Sequence, residues 1–423
     1  MTTTTTATSA VRRVAITGLG TVSPLGNTPH EAFERARDGV SAVQRLTTPI
    51  AAQLAAPLAA TARLSGDNHF DPAKLRMLDR FSLFALVAAN QAMADARGSE
   101  QVRADAERVG VFVGSAMGGS HSMDEAYLAL YGAAGNRIKP FTVLMGMHNA
   151  AAAWIAMEHG IRGANLTFST ACSSSAVAIG EAWQRVARGE LDLAIAGGSE
   201  APLSNGSLKA WEAMHTLATP DPHDDATSCK PFSKNRSGMV LGEGAAMLVL
   251  EPWEQAQARG VPIHGELLGY GVTNDPGHVT KPSVEGQAAA MQACLKAAAL
   301  AREQIDGVNA HGTGTQANDV TETSALRAVF GPHAQRLAVS ATKAVHGHLL
   351  GGGGALECLL SLLAMRHGVV LPTMHLHQPD PQCDLDYVPN TARHGVAVRT
   401  MLSNSFAFGG TNAVLALGAG AAA

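Results

Sequence analysis

The chain is poor in aromatic residues and in cysteine, and both shortages limit what it can be. Only 4% of its 423 residues are aromatic, so the stacking platform of a single-strand nucleic-acid binder is missing. The five cysteines are odd in number and scattered, which argues against a disulfide framework and predicts a cytoplasmic location. There is no paired-cysteine or HExxH spacing typical of zinc sites, so we expect no metal.

The chain also lacks a strong net charge and a long uninterrupted apolar run. Its formal net charge of −4 provides no overall field that attracts nucleic acid. The most apolar stretch, residues 349–365, contains four successive glycines and Glu357, so it predicts a buried helix and no membrane span. The threonine-rich residues 1–10 have no apolar segment, and we expect a disordered end without a signal peptide.

Strand-like and helix-like segments alternate along the chain, which predicts an α/β fold. Residues 166–198 and 337–371 each have the pattern of a strand, a short turn, a helix of small residues and a second strand. We interpret them as two copies of one α/β unit and divide the chain into halves at residues 1–262 and 263–423. A chance likeness of two α/β units is the alternative.

Cys172 is the most informative candidate residue. It lies in the segment STACSSS (residues 169–175), between a β-prone run and a helix of small residues. Free backbone N–H groups at such a junction favour the thiolate, which predicts a lowered thiol pKa. The alternative for a lone cysteine is a small buried core residue.

Two later segments each place a histidine beside glycine after a strand-like run. His311 begins HGTGT (residues 311–315), and His348 ends ATKAVHGH (residues 341–348). Glycine permits unusual backbone angles and leaves space beside a site. One cysteine with two such histidines indicates nucleophilic acyl chemistry, and a metal site is the competing hypothesis.

These motifs, together with NSFAFGGTN (residues 404–412), resemble those of the β-ketoacyl-[acyl carrier protein] synthases, the elongating condensing enzymes of the thiolase superfamily. The resemblance extends over almost the whole chain, from ITGLG (residues 16–20) onward. It implies a duplicated, five-layered αβαβα thiolase fold and an acyltransferase. The implied reaction is a decarboxylative Claisen condensation of an acyl-cysteine with a malonyl thioester. No cofactor is implied, because the substrates are carried on the phosphopantetheine of an acyl carrier protein.

The resemblance assigns catalytic roles to five residues. Cys172 matches the nucleophile that accepts the acyl chain, and His311 and His348 match the two histidines of a Cys-His-His site. Lys343 matches the lysine that organises the histidines, and its charge should keep them neutral. Glu322 matches an acidic residue near this lysine, with an acid at a solvated helix start as the alternative.

Five further residues match positions around the reacting groups. Asp319 matches a second acidic position, again with a solvated helix start as the alternative. Phe408 matches a gating residue whose backbone N–H joins that of the nucleophile in the oxyanion hole. Thr313 and Thr315 match hydroxyls that bind the phosphopantetheine arm, and Met117 matches the bottom of the acyl pocket. Ordinary turn chemistry for the threonines and core packing for the methionine are the alternatives.

Three residues depart from the family pattern. His346 occupies a place usually held by threonine, and we expect it to form a wall near the site. Ser237 replaces a common acid, and Ala407 replaces a common glycine in the gating loop, where a methyl group could restrict motion.

The motifs favour a discrete (type II) ketosynthase of a polyketide or polyene pathway, because ACSSS (residues 171–175) and HGTGT resemble polyketide enzymes. We expect a homodimer or a heterodimer with a chain-length-factor homologue. The alternatives are a housekeeping fatty-acid elongation synthase II and, in another class, a non-catalytic partner subunit. A thiolase acting on coenzyme A is disfavoured, because the loop FGG (residues 408–410) lacks a second catalytic cysteine.

The expected carrier protein is acidic, so basic residues should surround the mouth of the site. Lys74, Arg76 and Arg80 form one candidate patch. Charged residues at a solvated helix end are the alternative.

Overall fold

The computed structural model describes residues 11–132 and 137–420. The predicted disordered end, residues 1–10, lies outside the described residues. Within them, no helix combines the length and the apolar character needed to cross a bilayer.

The strands are rich in valine, isoleucine, leucine and alanine, and most of those in the large sheet are buried on both faces, as expected where helices cover both sides of a sheet. They are β1 Val14–Val22, β2 Val43–Arg45, β3 Leu58–Ala60, β4 Val109–Gly114, β5 Asn165–Phe168, β6 Leu193–Glu200, β7 Leu241–Gly242, β8 Gly244–Pro252, β9 Gly265–Asn274, β10 Gly307–Asn309, β11 Ala338–Ser340, β12 Val369–Val370, β13 Arg393–His394, β14 Thr400–Phe406 and β15 Thr411–Ala419.

The helices begin at residues that cap or start a first turn well, such as Thr28 and Ser283, whose hydroxyls accept a backbone N–H. They are α1 Pro29–Arg37, α2 Pro72–Leu75, α3 Arg80–Asp95, α4 Ser99–Ala104, α5 Ser120–Tyr131, α6 Thr142–Gly146, α7 Ala150–His159, α8 Ser174–Ala187, α9 Asn205–Ala213, α10 Trp253–Arg259, α11 Val284–Ala297, α12 Gln316–Phe330, α13 Lys343–His346 and α14 Gly353–Arg366.

Ten strands form one mixed sheet in the order β11-β10-β14-β15-β9-β1-β8-β6-β4-β5. This order contains one five-strand arrangement twice. The first copy has the order β1-β8-β6-β4-β5, and the second has the order β9-β15-β14-β10-β11. Strands at the same place in the two orders also follow the same sequence along the chain. The two arrangements meet where β1 pairs with β9 through residues 14–16 and 265–267.

Three large apolar clusters show how the layers are stacked. In the middle, α8 and α14 contact each other and strands of both arrangements. Outside the first arrangement lie α3 and α7, and outside the second lie α11 and α12. Helix, sheet, helix, sheet and helix layers therefore alternate, and the predicted thiolase-type α/β fold is confirmed.

The predicted repeat is corrected in its second copy. Sequence reasoning ended that copy with a strand near residues 369–371, but β12 has only two residues and pairs with β13 in a separate small sheet. The strand equivalent to β6 is β14, which was not predicted. Residues 371–399, which include the two-residue strand β13, separate it from β12. The helices α5 and α9 were also missed. The division between residues 262 and 263 stays a prediction.

Candidate active site

Cys172 lies in a short 3-10 turn, residues 171–173, that joins β5 to α8. The turn is tight, since Ala171 has a positive φ of 50°. The Ser174 hydroxyl stabilises it by donating to the carbonyl of Ala171 at 2.6 Å and accepting the N–H of Thr170 at 2.9 Å. The small hydroxyl residues around Cys172 therefore hold a strained turn that presents the sulfur, which is only 7% exposed.

The turn brings Cys172 close to His311 and His348. One nitrogen of each ring and the cysteine Sγ lie within 4.8 Å of one another, and His348 Nε2 is 3.1 Å from Sγ. The two rings meet edge to face, with centroids 5.4 Å apart. All three residues line one cavity of about 210 Å³, so a single small thioester group can reach all of them.

The backbone determines which nitrogen of His348 carries its hydrogen. The N–H of Leu350 donates to Nδ1 at 3.2 Å, so Nδ1 is the acceptor and the neutral ring holds its hydrogen on Nε2. Nε2–H then points at Sγ. His311 has its Nδ1 buried without a hydrogen-bond partner in the described residues.

This arrangement disfavours the metal hypothesis, although Cys172, His311 and His348 have ligand atoms close enough for a soft ion. A metal-bound histidine normally uses one ring nitrogen as the ligand and donates from the other to an acceptor. At His348 the other nitrogen faces a backbone donor. If Nε2 bound a metal, Nδ1 would carry the hydrogen of the neutral ring. The Nδ1–H and the N–H of Leu350 would then face each other as two donors.

The structure overturns the predicted low pKa of the nucleophile. Burial raises the pKa of the Cys172 thiol to about 12 and outweighs the charge of Lys343 and the backbone N–H groups of Phe408 and Cys172, which lower the pKa. Sequence reasoning recognised the strand-to-helix junction but had no measure of burial. The sulfur is therefore a thiol in the resting protein. Lys343 and the two backbone N–H groups would stabilise a negative charge that develops beside it.

Both histidines are neutral. Burial, followed by the positive charge of Lys343, lowers the pKa of His311 and of His348 well below the usual value. The charge repulsion expected from Lys343 is thus present, but desolvation is the larger cause. Two neutral imidazoles beside a sulfur can donate hydrogen bonds without adding net charge.

Lys343 is 1% exposed, and its ammonium group pairs with the carboxylate of Glu357 in α14. In the sequence, Glu357 stands out only as an interruption in an apolar run. Burial raises the pKa of Glu357 to about 7, while Lys343 opposes this rise. A buried cation needs such a partner, because an unpaired charge in the interior is very costly.

Glu322 holds the backbone of the first histidine. Its two oxygens accept the N–H groups of His311 and Gly312, each at 2.9 Å, and the Asn404 side chain donates to it at 3.1 Å. Glu322 is fully buried, so the solvated helix-start interpretation is wrong for this residue. Asn404 belongs to the C-terminal motif, but sequence reasoning gave it no role.

Asp319 is also fully buried and fixes the HGTGT turn from outside the cavity. It accepts the N–H of Phe232 at 2.8 Å and that of Gly314 at 3.3 Å, and Arg236 lies 3.6 Å away. The solvated helix-start interpretation is therefore wrong here too. Gly314 has a φ of 77°, a backbone angle that favours glycine in this turn.

Phe408, Thr313 and Thr315 line the cavity with the cysteine and the two histidines. The two threonine hydroxyls lie 2.9 Å apart, and the Phe408 ring stacks on Trp211 with centroids 6.2 Å apart. The outer wall is formed by residues 275–282, which sequence reasoning missed because the segment carries no recognisable periodicity. Two backbone hydrogen bonds join this segment to residues 409 and 410.

Met117 does not line this cavity. It packs against an apolar cluster that includes Cys172, so it is near the nucleophile but in different surroundings from the histidines. Its backbone N–H donates to the carboxylate of Glu200 at 3.0 Å. Sequence reasoning gave Glu200 no role.

The three departures from the family pattern have ordinary contacts. His346 is fully buried, and its Nε2 lies 3.0 Å from the Thr342 hydroxyl; burial lowers its pKa to about 3. Ser237 accepts the N–H of Thr219 at 3.1 Å. Ala407 is half-buried and begins the turn after β14, where its N–H donates to the carbonyl of Thr411.

The expected basic patch is largely neutralised by internal pairing. The Arg80 guanidinium binds the buried carboxylate of Glu243 at 2.6 Å, and the Lys74 ammonium pairs with Glu158. Arg76 is exposed. The charges of Lys74 and Arg80 are therefore paired within the chain, and the use of this patch for carrier binding stays a prediction.

Comparisons with known proteins agree over almost the whole chain. The family described as "Beta-ketoacyl synthase, N-terminal domain" matches residues 11–256, and "Beta-ketoacyl synthase, C-terminal domain" matches residues 264–377. Nodulation protein E of Rhizobium meliloti (strain 1021) is 43% identical over 405 residues, covering 96% of this chain and 98% of the relative. The 3-oxoacyl-[acyl-carrier-protein] synthase 2 of Staphylococcus aureus (strain COL) is 39% identical over 410 residues, covering 96% and 97%.

A solved structure described as the ishigamide ketosynthase/chain length factor has the same fold. It superposes with a TM-score of 0.88 at 33% sequence identity. The match covers 97% of this chain and 100% of that chain.

Proposed function

The chain belongs to the β-ketoacyl synthase family, and we propose that it is the catalytic ketosynthase of a type II polyketide or polyene pathway. It is an acyltransferase that performs decarboxylative condensation on carrier-bound thioesters. The observation that carries the catalytic part of this proposal is the convergence of Cys172 Sγ with one nitrogen each of His311 and His348 within 4.8 Å in one cavity. The pathway is supported by the ACSSS and HGTGT motifs and by the likeness to the ishigamide ketosynthase/chain length factor.

In the first half-reaction, Cys172 attacks the carbonyl of an acyl thioester. The backbone N–H groups of Cys172 and Phe408, which already surround the sulfur, stabilise the oxyanion. Removing one such donor typically costs about 3 kcal/mol. The acyl group moves to Sγ, and the thiol proton ends on the released pantetheine sulfur.

In the second half-reaction, a malonyl thioester loses CO2 and forms an enolate. His311 and His348 donate N–H hydrogen bonds from Nε2 to the enolate oxygen. The enolate carbon attacks the acyl carbonyl on Cys172, the C–S bond breaks, and the thiolate takes up a proton. Two neutral donors suit this step, because a protonated imidazole would instead quench the carbanion.

The proposed substrate arm is phosphopantetheine, which needs polar contacts along a narrow channel. Thr313 and Thr315 supply hydroxyls in the cavity, and the exposed Lys281 lies on its outer wall. An acidic carrier protein would meet this lysine at the mouth. The reaction as written uses no metal and no organic cofactor, and the five buried free thiols suit a reducing cytoplasm.

We also propose that a second chain of the same fold covers the β5 edge. β5 is the last strand of the ten-stranded sheet, and an open edge pairs readily with another strand. Leu166 on this strand is 38% exposed, and the connection from β4 to β5 exposes Leu128, Tyr131, Val143 and Leu144 by 56% or more. Apolar surface of this kind marks a protein interface.

The oligomeric state is tested by light scattering on the chain purified alone and together with a Cys-less homologue. Leu166→Asp should dissociate the assembly, because it places a charge on the pairing edge. Val11→Asp, at an exposed valine outside this connection, is the control. A monomeric wild type in both preparations would contradict the proposal.

Two other functions remain as candidates. The 39% identity to 3-oxoacyl-[acyl-carrier-protein] synthase 2 supports a fatty-acid elongation synthase, which uses the same chemistry. A non-catalytic partner subunit is disfavoured, because the cysteine and both histidines are present and converge.

The decisive experiment is co-purification with a carrier protein, followed by intact mass measurement after loading with acyl thioesters. We expect an acyl adduct on Cys172 and, after addition of the malonyl-carrier, a product longer by two carbons. Faster extension of β-ketoacyl or conjugated enoyl chains than of saturated acyl chains of the same length would support polyketide or polyene synthesis, whereas a preference for saturated chains would support fatty-acid elongation. The absence of any adduct would overturn the assignment.

A further inference from the structure

Glu200 is a fully buried acid at the end of β6 that the reaction above does not use. Its Oε2 accepts the N–H groups of Ala116 at 2.7 Å and Gly351 at 3.0 Å. Its Oε1 accepts the N–H of Met117 at 3.0 Å and the Ser115 hydroxyl at 3.2 Å. All four of these donors are neutral, so the carboxylate binds backbone and hydroxyl groups without a countercharge.

These hydrogen bonds join two segments that are far apart in sequence. Residues 115–118 form the turn between β4 and α5 and carry Met117. Gly351 lies in the turn between His348 and α14. The packing is close, since a Cβ added at Gly351 would lie 2.4 Å from the Ala116 nitrogen and 2.7 Å from Glu200 Oε2.

The second segment also sets the ring of His348. Leu350, next to Gly351, gives its N–H to His348 Nδ1 and has a positive φ of 44°. Such a backbone angle persists only where the surroundings enforce it. The hydrogen bond from the Gly351 N–H to Glu200 is one of the contacts that hold this turn. A movement of Gly351 would therefore also move the neighbouring Leu350 N–H, which donates to His348.

We propose that Glu200 is a positioning residue that links the Met117 turn to the His348 turn. An acyl chain that displaces Met117 then also changes how His348 is oriented, so Glu200 helps to determine which chain lengths the site accepts. This inference rests on the proposed function, since an acyl chain must reach Cys172, and on the packing of Met117 against the apolar cluster that contains Cys172.

The test uses Glu200→Gln, which preserves size but replaces one acceptor oxygen by an NH2 group that faces backbone donors. Glu251→Gln is the matched control, because Glu251 is equally buried but binds Thr17 and Arg259 elsewhere. The measurement is kcat and KM separately for carrier substrates with a short and a long acyl chain. A roughly 10- to 100-fold loss of kcat is expected for Glu200→Gln, with a changed ratio of kcat/KM between the two chain lengths.

A purely structural role would lower thermal stability in both variants and leave that chain-length ratio as in the wild type. An unchanged ratio in folded Glu200→Gln would therefore overturn the proposal. If this variant does not fold, Ser115→Ala removes one of the four hydrogen bonds to Glu200, together with the acceptor of the Gly118 N–H, and should shift the ratio in the same direction. A Ser115→Ala ratio equal to that of the wild type would then count against the proposal.

A second readout separates this inference from the proposed function. In protein labelled with 15N-histidine, NMR shifts report which ring nitrogen of His348 carries the hydrogen. We expect Nε2–H in the wild type and in Glu251→Gln, and a changed signal in Glu200→Gln. If the wild type forms no acyl adduct, the proposed function fails, but the NMR signal still tests whether Glu200 positions His348. Unchanged His348 shifts in Glu200→Gln would refute the positioning role.

Discussion

Cys172 and His348 occupy equivalent positions in the two copies of the fold. Cys172 lies between β5 and α8, and His348 lies between β11 and α14. Because α8 and α14 pack against each other in the middle layer, the turns that precede them face one another. The 3.1 Å separation of Sγ and Nε2 is therefore a consequence of the duplicated topology.

Cys172→Ala should abolish both the acyl adduct and chain extension, because no other nucleophile takes the place of the sulfur. Intact mass and product analysis measure the two effects. Cys383→Ala, at another buried free cysteine, should retain the adduct. Normal extension by Cys172→Ala would refute the assigned nucleophile.

His311→Ala and His348→Ala should chiefly impair decarboxylation of the malonyl thioester, since each removes one donor to the enolate. We expect a loss of about 100- to 1,000-fold in the rate of CO2 release. Transfer of the acyl group to Cys172, which mass spectrometry measures, should be less affected. Equal losses in both half-reactions would contradict the separate roles.

The pH dependence of stability should reveal the buried histidines. Burial lowers the pKa of His346 to about 3, whereas an unfolded histidine has a pKa of about 6.5. Between these values the unfolded chain binds a proton that the folded chain does not, so stability falls as the pH falls. The loss per histidine is about 1.4 kcal/mol for each pH unit below 6.5.

His346→Thr removes one of these groups and should flatten the fall in stability between pH 6.5 and 4.5. Urea unfolding at several pH values measures the slope. His30→Thr, at an exposed residue, is the control and should leave the slope as in the wild type. A wild-type slope in His346→Thr would argue against the buried neutral ring.

Lys281→Glu should raise the KM for carrier-bound substrates by weakening attraction to the acidic carrier protein, with the largest effect at low salt. The KM for a short pantetheine thioester, which lacks the carrier protein, should change little. Lys296→Glu, an exposed lysine on α11 outside the cavity, is the control. The same rise in both variants would remove Lys281 from the docking surface.

The fold class and the chemistry of the site can be predicted from the order of the amino acids. The alternation of strand and helix patterns indicates an α/β fold, and Cys172, His311 and His348 each stand in a motif whose glycines or small residues suit a reactive turn. Local patterns of this kind follow from backbone sterics and short-range hydrogen bonding, so they can be read along the chain.

The burial of each side chain and its long-range partners become visible only in the folded chain. Burial reversed the expected direction of the Cys172 pKa, and Glu357 and Glu243 took up the charges of Lys343 and Arg80. Desolvation and ion pairing depend on which distant segments meet, and the spacing of residues along the chain carries little information about that.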